Sequence, residues 1–188
     1  MTSSSTSIGG VCTGLGIAPN KIETIIGVAK AYVTRVGEGP FPTELNDDTG
    51  KIMRAKGHEF GTTTGRPRRC GWLDLPLLRY TNMINGFSSW NLTKLDILDS
   101  FKNIKVAVAY KLNGKELDSL PGSLEDLAKV EVVYETLKGW EHDITKITKA
   151  DHLPKEAVDY IRFIERHTGV KVSWVGTGPS DEAMVQLL

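Results

Sequence analysis

The segment from Gly61 to Asp74, GTTTGRPRRCGWLD, places three consecutive threonines and a glycine directly before three arginines in four positions. Each guanidinium carries a planar fork of donors that matches a carboxylate or phosphate with two hydrogen bonds. Threonine hydroxyls and the flexible backbone at Gly65 let further donors approach the same ligand. The segment therefore favours an anion site over its alternative, a solvated basic turn stiffened by Pro67.

The three arginines are not equivalent in this pattern. Arg66 and Arg68 are separated by one residue, so in an extended backbone their side chains point the same way and that of Arg69 points to the opposite side. We interpret Arg66 and Arg68 as the functional pair.

The tetrapeptide Thr93–Asp96, TKLD, lies at the end of a predicted strand. A carboxylate at Asp96 can accept hydrogen bonds from both N1 and N2 of guanine, whereas adenine presents no such pair of donors, and Lys94 can lay its aliphatic stem along the base. The motif is similar to the guanine-reading NKxD of GTP-binding proteins. Its alternative is a surface lysine followed by a helix-capping aspartate, and Asp99 is expected to be a surface residue.

The turn GTGPS, Gly176–Ser180, comes directly after another predicted strand. Glycines on either side of Thr177 allow close backbone approach to a flat ligand, although a tight turn capped by Ser180 explains the pattern equally well. Taken with Asp96, Gly176 and Gly178 suggest a purine pocket. The sequence contains no GxxxxGK[ST] loop for a triphosphate and no acid/base pair that we would nominate for catalysis.

Composition narrows the class of protein. The 188 residues hold 23 basic and 23 acidic side chains, so no overall field attracts nucleic acid or an anionic membrane. No apolar run reaches membrane-spanning length and the opening is too polar for a secretory signal, so a cytoplasmic location is expected. Cys12 and Cys70 lack a disulfide or zinc spacing and are expected to be buried thiols, and none of the four histidines has a metal-ligand neighbour.

Periodicity predicts a mixed α/β fold with a mostly parallel sheet, flanking helices and a hairpin-like β insertion at Asn113–Gly114. In such folds ligands gather at loops beyond the strand ends. The stretch 2–16 is predicted to be a loop. Helices are predicted over 20–27, 47–57, 73–87 and 154–167, and strands over 28–36, 92–96, 105–111, 130–136 and 170–175.

Six segments, in order, closely resemble the adenylosuccinate synthetase family: TSSSTSIGGVCTGLG, TRVGEGPFPTE, HEFGTTTGRPRRCGWLD, LTKLDILD, YETLKGW and VGTGP. The resemblance runs essentially from Thr2 to Leu188. It implies the C-terminal part of a homodimeric cytosolic enzyme that uses GTP and Mg2+ to join IMP with L-aspartate, giving adenylosuccinate in purine biosynthesis. It also implies that residues 1–188 form one structural unit.

The resemblance assigns roles to individual residues of this chain. The aspartate carboxylates would lie against the loop Thr62, Thr63, Thr64, Gly65, Arg66, Pro67 and Arg68. Arg66 and Val11 would contact IMP. The GTP site would comprise Arg68, Lys94, Leu95, Asp96, Gly176, Thr177 and Gly178.

Two positions depart from the family pattern. Ser5 stands where the TSSNT form has asparagine, and Gly176 stands where many members have serine, so a side-chain contact is not expected at either. The resemblance also places the phosphate loop, the catalytic aspartate and histidine, and the magnesium ligands outside these 188 residues. The polypeptide by itself is therefore expected to be inactive and to contain no catalytic or metal-binding residue of the enzyme.

Two other functions fit parts of the sequence. A self-standing, non-catalytic module that binds guanine nucleotides or anions would use the same arginines and Asp96. A purely structural interaction domain would leave the arginine loop without a purpose, so we rank it last.

Overall fold

The computed structural model describes residues 5–188. The helices within this range are α1 (Ile8–Leu15), α2 (Asp48–Lys56), α3 (Leu75–Asn85), α4 (Leu124–Leu127) and α5 (Lys155–Thr168). The strands are β1 (Ile26–Lys30), β2 (Val33–Arg35), β3 (Arg69–Gly71), β4 (Leu73–Asp74), β5 (Ser89–Thr93), β6 (Asn103–Leu112), β7 (Lys115–Glu116), β8 (Glu131–Lys138), β9 (Val172–Gly176) and β10 (Met184–Gln186). Short 3-10 turns cover Pro19–Lys21, Leu95–Leu98, Ala150–His152 and Asp181–Ala183.

The first sheet has the order β1-β5-β9-β10, in which β1, β5 and β9 are parallel and β10 runs antiparallel to β9. A second sheet is built on β6, which pairs in parallel with β4 and antiparallel with β7 and β8. Strands β2 and β3 form a separate antiparallel pair. The predicted mixed α/β architecture, with its parallel strands, flanking helices and hairpin, is confirmed.

Local chemistry explains where several elements begin and end. The Asp47 side chain caps α2 by accepting from the Gly50 amide, and α5 ends at Gly169, whose φ of 72° is open to glycine at no steric cost. Asn113 and Gly114 both have positive φ, which is the conformation a two-residue turn needs to join β6 to β7. The apolar face of α5 is buried, and the hydroxyl of Tyr160 donates to the Ala31 carbonyl.

The structure differs from four expectations about secondary structure. The strand predicted over 92–96 is wrong beyond Thr93, where β5 ends and a left-handed Lys94 leads into the 3-10 turn Leu95–Leu98. The loop predicted over residues 2–16 is wrong from Ile8, where α1 begins, and residues 2–4 of it lie outside the described range. The helix predicted over 20–27 is wrong: after a single 3-10 turn the chain extends into β1, because Ile26 and Gly27 pair with β5. The strand predicted over 28–36 is broken at Ala31 and Tyr32, where the Tyr32 hydroxyl turns inward to a buried carboxylate.

Asp74 links α3 to the second sheet. One of its oxygens accepts from the Leu77 amide and caps α3, and the other accepts from the hydroxyl of Tyr110 on β6. Burial raises the pKa of Asp74, and the Tyr110 hydroxyl offsets part of that rise. Since both residues are buried, each depends on the other to satisfy its polar atoms.

Asp74→Ala is expected to lower the free energy of unfolding by about 2–4 kcal/mol, because it removes a helix cap and leaves the Tyr110 hydroxyl unpaired. Asp74→Asn keeps an acceptor for the cap and is expected to lose less. Urea unfolding of the two variants checks this, and an Asp74→Ala stability equal to that of the unaltered chain would contradict it.

Candidate functional site

The polar residues predicted from the sequence gather at one edge of the first sheet. Strands β1, β5 and β9 are parallel, so their carboxyl ends meet at the same edge. This brings together Lys30 at the end of β1, the Lys94–Asp96 segment after β5 and Gly176 at the end of β9. The arginine loop, residues 61–69, is connected to them through the buried carboxylate of Glu59, which pairs with both Arg68 and Lys94.

A cleft of about 780 Å³ opens at this edge, and we call it the base cleft. Gly176 lets β9 approach β5 closely here, since a Cβ at this position would lie 3.3 Å from the Thr93 Cα. The cleft has both polar and apolar walls, as a site for a heterocyclic base requires. Its lining residues are Lys56, Gly57, His58, Thr93, Lys94, Asp96, Ile97, Gly176, Gly178, Pro179, Ser180, Asp181 and Met184.

Asp96 is the acceptor best placed to read a ligand in the base cleft. Its half-buried carboxylate makes no hydrogen bond to another side chain within residues 5–188. Burial raises the pKa of Asp96 and the charge of Asp143 adds to the rise, while the backbone amide of Asp96 itself and the charge of Lys94 offset part of it. A partly desolvated carboxylate without a side-chain donor gains from a ligand that supplies two N–H groups.

Leu95 and Thr177 lie beside the base cleft without lining it. The Leu95 side chain is fully buried. The Thr177 hydroxyl, also buried, bonds to the carbonyls of Ile147 at 2.9 Å and Ala183 at 3.0 Å. Any contact that these two residues make with a ligand therefore has to come from their backbone.

The loop from Gly61 to Arg66 is a closed turn. The Gly61 and Arg66 backbones are joined by a 2.8 Å hydrogen bond from the Gly61 amide, and the Gly65 amide returns to the Gly61 carbonyl at 2.8 Å. Gly65 has a φ of 64°, which explains the glycine there. The turn leaves Thr62 and Thr63 exposed and faces a cleft of about 280 Å³, the loop cleft, lined by Arg35, Val36, Gly37, Gly61, Thr64, Arg66, Pro67, Arg68 and Arg69.

The three arginines of the loop differ in how much of their donor capacity the protein uses. Arg69 makes its hydrogen bonds within the protein. It forms a two-bond ion pair with Glu44 at 2.6 and 2.7 Å, and it also donates to the carbonyls of Gly37 and Gly39. Arg66 is exposed, and its guanidinium makes no hydrogen bond to any of residues 5–188. All three line the loop cleft, so Arg69 does not point away from it as an extended backbone would require.

Arg68 lies between these extremes. One of its terminal nitrogens donates to Glu59 Oε2 at 3.1 Å, while its buried Nε has no partner within the described part of the chain. A buried donor without a partner costs free energy, and an anion in the loop cleft would satisfy it. Arg66 and Arg68 are thus the arginines with donors to spare.

Glu59 is the central residue of the site, and the sequence reasoning missed it. Its carboxylate is fully buried, with Oε1 receiving Lys30 at 2.7 Å, the Tyr32 hydroxyl at 2.7 Å and Lys94 at 3.0 Å, while Oε2 receives Arg68. Burial raises the pKa of Glu59, but the hydrogen bonds from Lys30, Tyr32 and Lys94 outweigh it and lower the pKa to about 2. The one signal in the sequence was a carboxylate two positions before the arginine loop.

Asp99 is not the surface residue that the sequence suggested. It is half-buried and accepts from the indole nitrogen of Trp140 at 2.7 Å and from the Ile144 amide at 3.1 Å. Burial, together with the charges of Asp96 and Asp143, raises the pKa of Asp99 to about 6 against the two hydrogen bonds. It holds the segment after β8 against the outer side of the base cleft.

Val11 is not among the residues that line either cleft. It is 42% exposed on α1, which is attached to α3 by a 2.9 Å hydrogen bond from the Ile8 amide to Asn85.

Cys70 is a buried thiol as predicted, whereas Cys12 is half-buried. Within residues 5–188 no group of three metal-ligating side chains comes together, and no helix has the length and apolar character needed to cross a membrane.

Fold and site together define a mixed α/β protein with an arginine-lined loop cleft and a second cleft, the base cleft, at the C-terminal edge of parallel strands. A family model described as adenylosuccinate synthetase matches residues 1–185, and the chain belongs to that family. It is 61% identical over 186 residues to the adenylosuccinate synthetase of Candida tropicalis, covering 99% of this chain and 44% of that protein. For the Paramecium tetraurelia protein the identity is 60%, covering 98% and 43%.

Among solved structures, the fully ligated adenylosuccinate synthetase from Plasmodium falciparum superposes with a TM-score of 0.96 at 45% sequence identity. That match covers all of this chain and 45% of the other. The chain therefore spans less than half the length of the relatives it matches.

The Glu59 cluster makes stability depend on pH in a defined window. The pKa of Glu59 is lowered from 4.5 to about 2, so its contribution is complete above pH 4.5 and is lost as the pH falls toward 2. Glu59→Gln is expected to lose about 3 kcal/mol at neutral pH, near the lower end for a broken buried ion pair because the cations remain partly hydrated. The free energy of unfolding of this variant should also decrease less between pH 4.5 and pH 2 than that of the unaltered chain, as measured by urea unfolding at each pH. An unchanged slope would contradict the assignment.

Proposed function

We propose that this chain supplies the guanine-reading and aspartate-holding walls of an adenylosuccinate synthetase, the enzyme that joins IMP and L-aspartate at the expense of GTP. The observation that carries the proposal is the Asp96 carboxylate, which is partly desolvated, has no side-chain donor among residues 5–188, and faces a cleft at the C-terminal edge of the parallel strands. Membership of the family supports it.

Guanine would bind in the base cleft with its N1 and N2 donors on Asp96. The aliphatic stem of Lys94 would pack along the base, because its ammonium is already bonded to Glu59 and to the Gly57 carbonyl at 2.6 Å. Gly176 and Gly178 leave room for the flat ring, and Leu95 and Thr177 would contribute only through their backbone.

The carboxylates of L-aspartate would bind in the loop cleft. Arg66 brings a guanidinium free of protein partners among the described residues, and Arg68 brings an unpaired Nε. Hydroxyls and amides of Thr62, Thr63, Thr64 and Gly65 would complete the ring of donors, with Pro67 fixing the backbone. Arg66 would also reach IMP, toward which Val11 would contribute a further contact, and Arg68 would reach the ribose or phosphates of GTP.

The described residues supply positioning and charge rather than the chemical step. GTP would phosphorylate the IMP oxygen that the aspartate amine then displaces, and Mg2+ would balance the phosphate charge during that transfer. The family resemblance assigns the magnesium ligands to none of these residues, so we propose no ligand for the metal in this stretch.

We further propose that the 188 residues fold as one structural unit, corresponding to the C-terminal part of the family fold. A core that runs from Ala29 to Val185 and joins both sheets to α5 supports this. The whole enzyme is proposed to be a cytoplasmic homodimer. A GTP-dependent conversion of IMP and aspartate by the 188 residues alone would contradict our view that they lack the catalytic groups.

Asp96→Asn is expected to weaken GDP binding about 10- to 100-fold, since one of two hydrogen bonds to a charged acceptor is lost and the amide NH2 meets a donor. The preference for GDP over ADP should disappear with it. Calorimetric titration with both nucleotides measures this. Asp143→Asn is the matched control, because it removes the same charge from an exposed residue that does not line the base cleft and should leave GDP affinity within about twofold. Equal GDP binding by Asp96→Asn would remove the guanine-reading role.

Substitution of Arg66 is expected to weaken ligand binding, whereas substitution of Arg69 is expected to lower the stability of the fold. Arg66→Ala should weaken L-aspartate binding at least tenfold and change the free energy of unfolding by less than about 0.5 kcal/mol, because the side chain is exposed and makes no hydrogen bond to residues 5–188. Arg69→Ala should lower stability by at least about 1 kcal/mol, because Glu44 and two carbonyls lose their donor. Titration and urea unfolding of both variants test the division, and a destabilised Arg66→Ala would refute it.

A further inference from the structure

One buried carboxylate serves both clefts. Glu59 Oε2 holds Arg68 of the loop cleft at 3.1 Å, and Glu59 Oε1 holds Lys94 of the base cleft at 3.0 Å. The Glu59 side chain has no exposed surface, so both bridges are shielded from solvent on the carboxylate side. One residue of each cleft is thus bound to a different oxygen of the same carboxylate group.

The cluster carries more positive than negative charge. Lys30, Lys94 and Arg68 face one carboxylate, which leaves a surplus of two positive charges among these four groups. Side-chain exposures of 26–36% leave all three cations partly open to solvent, and Arg68 and Lys94 line the loop cleft and the base cleft respectively. Like charges at such separations repel, and an anion bound at Arg68 reduces that repulsion.

The backbone at Lys94 depends on the same bridge. Lys94 has a φ of 59° and a ψ of 37°, a left-handed conformation that is costly for a residue with a side chain. Its ammonium is tied to Glu59 and to the Gly57 carbonyl, and these two bonds hold the residue in that conformation. Asp96 follows two residues later, so its position in the base cleft is set by the conformation of Lys94.

Resting on the function proposed above, we propose that Glu59 is a positioning residue that couples the two clefts, so that a carboxylate ligand at Arg68 tightens guanine binding at Asp96. When the ligand carboxylate takes up part of the Arg68 charge, Glu59 is shared by fewer cations and holds Lys94 more firmly. By linkage, guanine in the base cleft tightens the carboxylate ligand by the same factor.

The test uses guanosine and L-aspartate with the 188-residue chain, since guanosine carries no phosphate to compete for the arginines. The dissociation constant of guanosine is measured by amide-shift titration with and without saturating L-aspartate. The ratio is expected to be about 5 or more for the unaltered chain, the lower end of usual couplings between sites, and the reverse titration should give the same ratio.

Three variants separate coupling from folding. Glu59→Gln should bring the ratio to about 1, while Tyr32→Phe, which removes another hydrogen bond to the same carboxylate but breaks neither bridge, should keep the ratio of the unaltered chain. Lys94→Met keeps an apolar stem for the base and leaves Glu59 paired with Lys30 and Arg68. It removes the bridge to the base cleft and should therefore also abolish coupling. This variant keeps the test available if Glu59→Gln does not fold.

A ratio of 1 for the unaltered chain, coupling that persists in Glu59→Gln or Lys94→Met, or its loss in Tyr32→Phe would each overturn the proposal. These results leave the two ligands bound and therefore the proposed function standing. If the unaltered chain binds neither guanosine nor L-aspartate, the proposed function fails and the coupling fails with it.

Discussion

The buried carboxylate of Glu59 is the constraint on which the site depends. Removing a carboxylate from water is tolerated only when cations and hydrogen bonds replace the lost hydration, and an unpaired one costs several kcal/mol. Here the partners come from three separate stretches: Lys30 at the end of β1, Arg68 after the threonine turn, and Lys94 after β5. The chain satisfies Glu59 only when all three are in place, so folding itself brings the two clefts together.

Around that carboxylate, the protein divides its polar groups between framework and ligand. The side chains of three residues hydrogen-bond to other parts of the chain and thereby fix the loops that border the clefts: Arg69, Asp99 and Thr177. Among the described residues, the Arg66 guanidinium makes no hydrogen bond and the Asp96 carboxylate receives none from another side chain. A framework whose own polar groups are already paired can tolerate an exposed guanidinium and a half-buried carboxylate without side-chain partners, because the rest of the structure stabilises the arrangement.

The sequence was most informative where the chemistry is local. Three features depend only on residues that are neighbours in the sequence: the clustered arginines, the Asp96 carboxylate after a strand, and the Asn113–Gly114 turn. The resemblance to the family was likewise based on short sequence motifs. Glu59 and Lys30 escaped notice because their roles arise only when distant segments meet. Asp99 was misjudged for the same reason, since its partners Trp140 and Ile144 are more than 40 positions away. The helix predicted over 20–27 was wrong because pairing with β5 overrides local periodicity.

The left-handed backbone at Lys94 sets backbone strain against the pairing of a buried charge at one position. Glycine adopts that conformation without steric cost, and asparagine does so at little cost, so either would relax the turn. Neither carries an ammonium that could reach Glu59. A residue that relieves the strain at position 94 therefore removes one of the cations that stabilise the buried carboxylate, and no single residue type serves both ends.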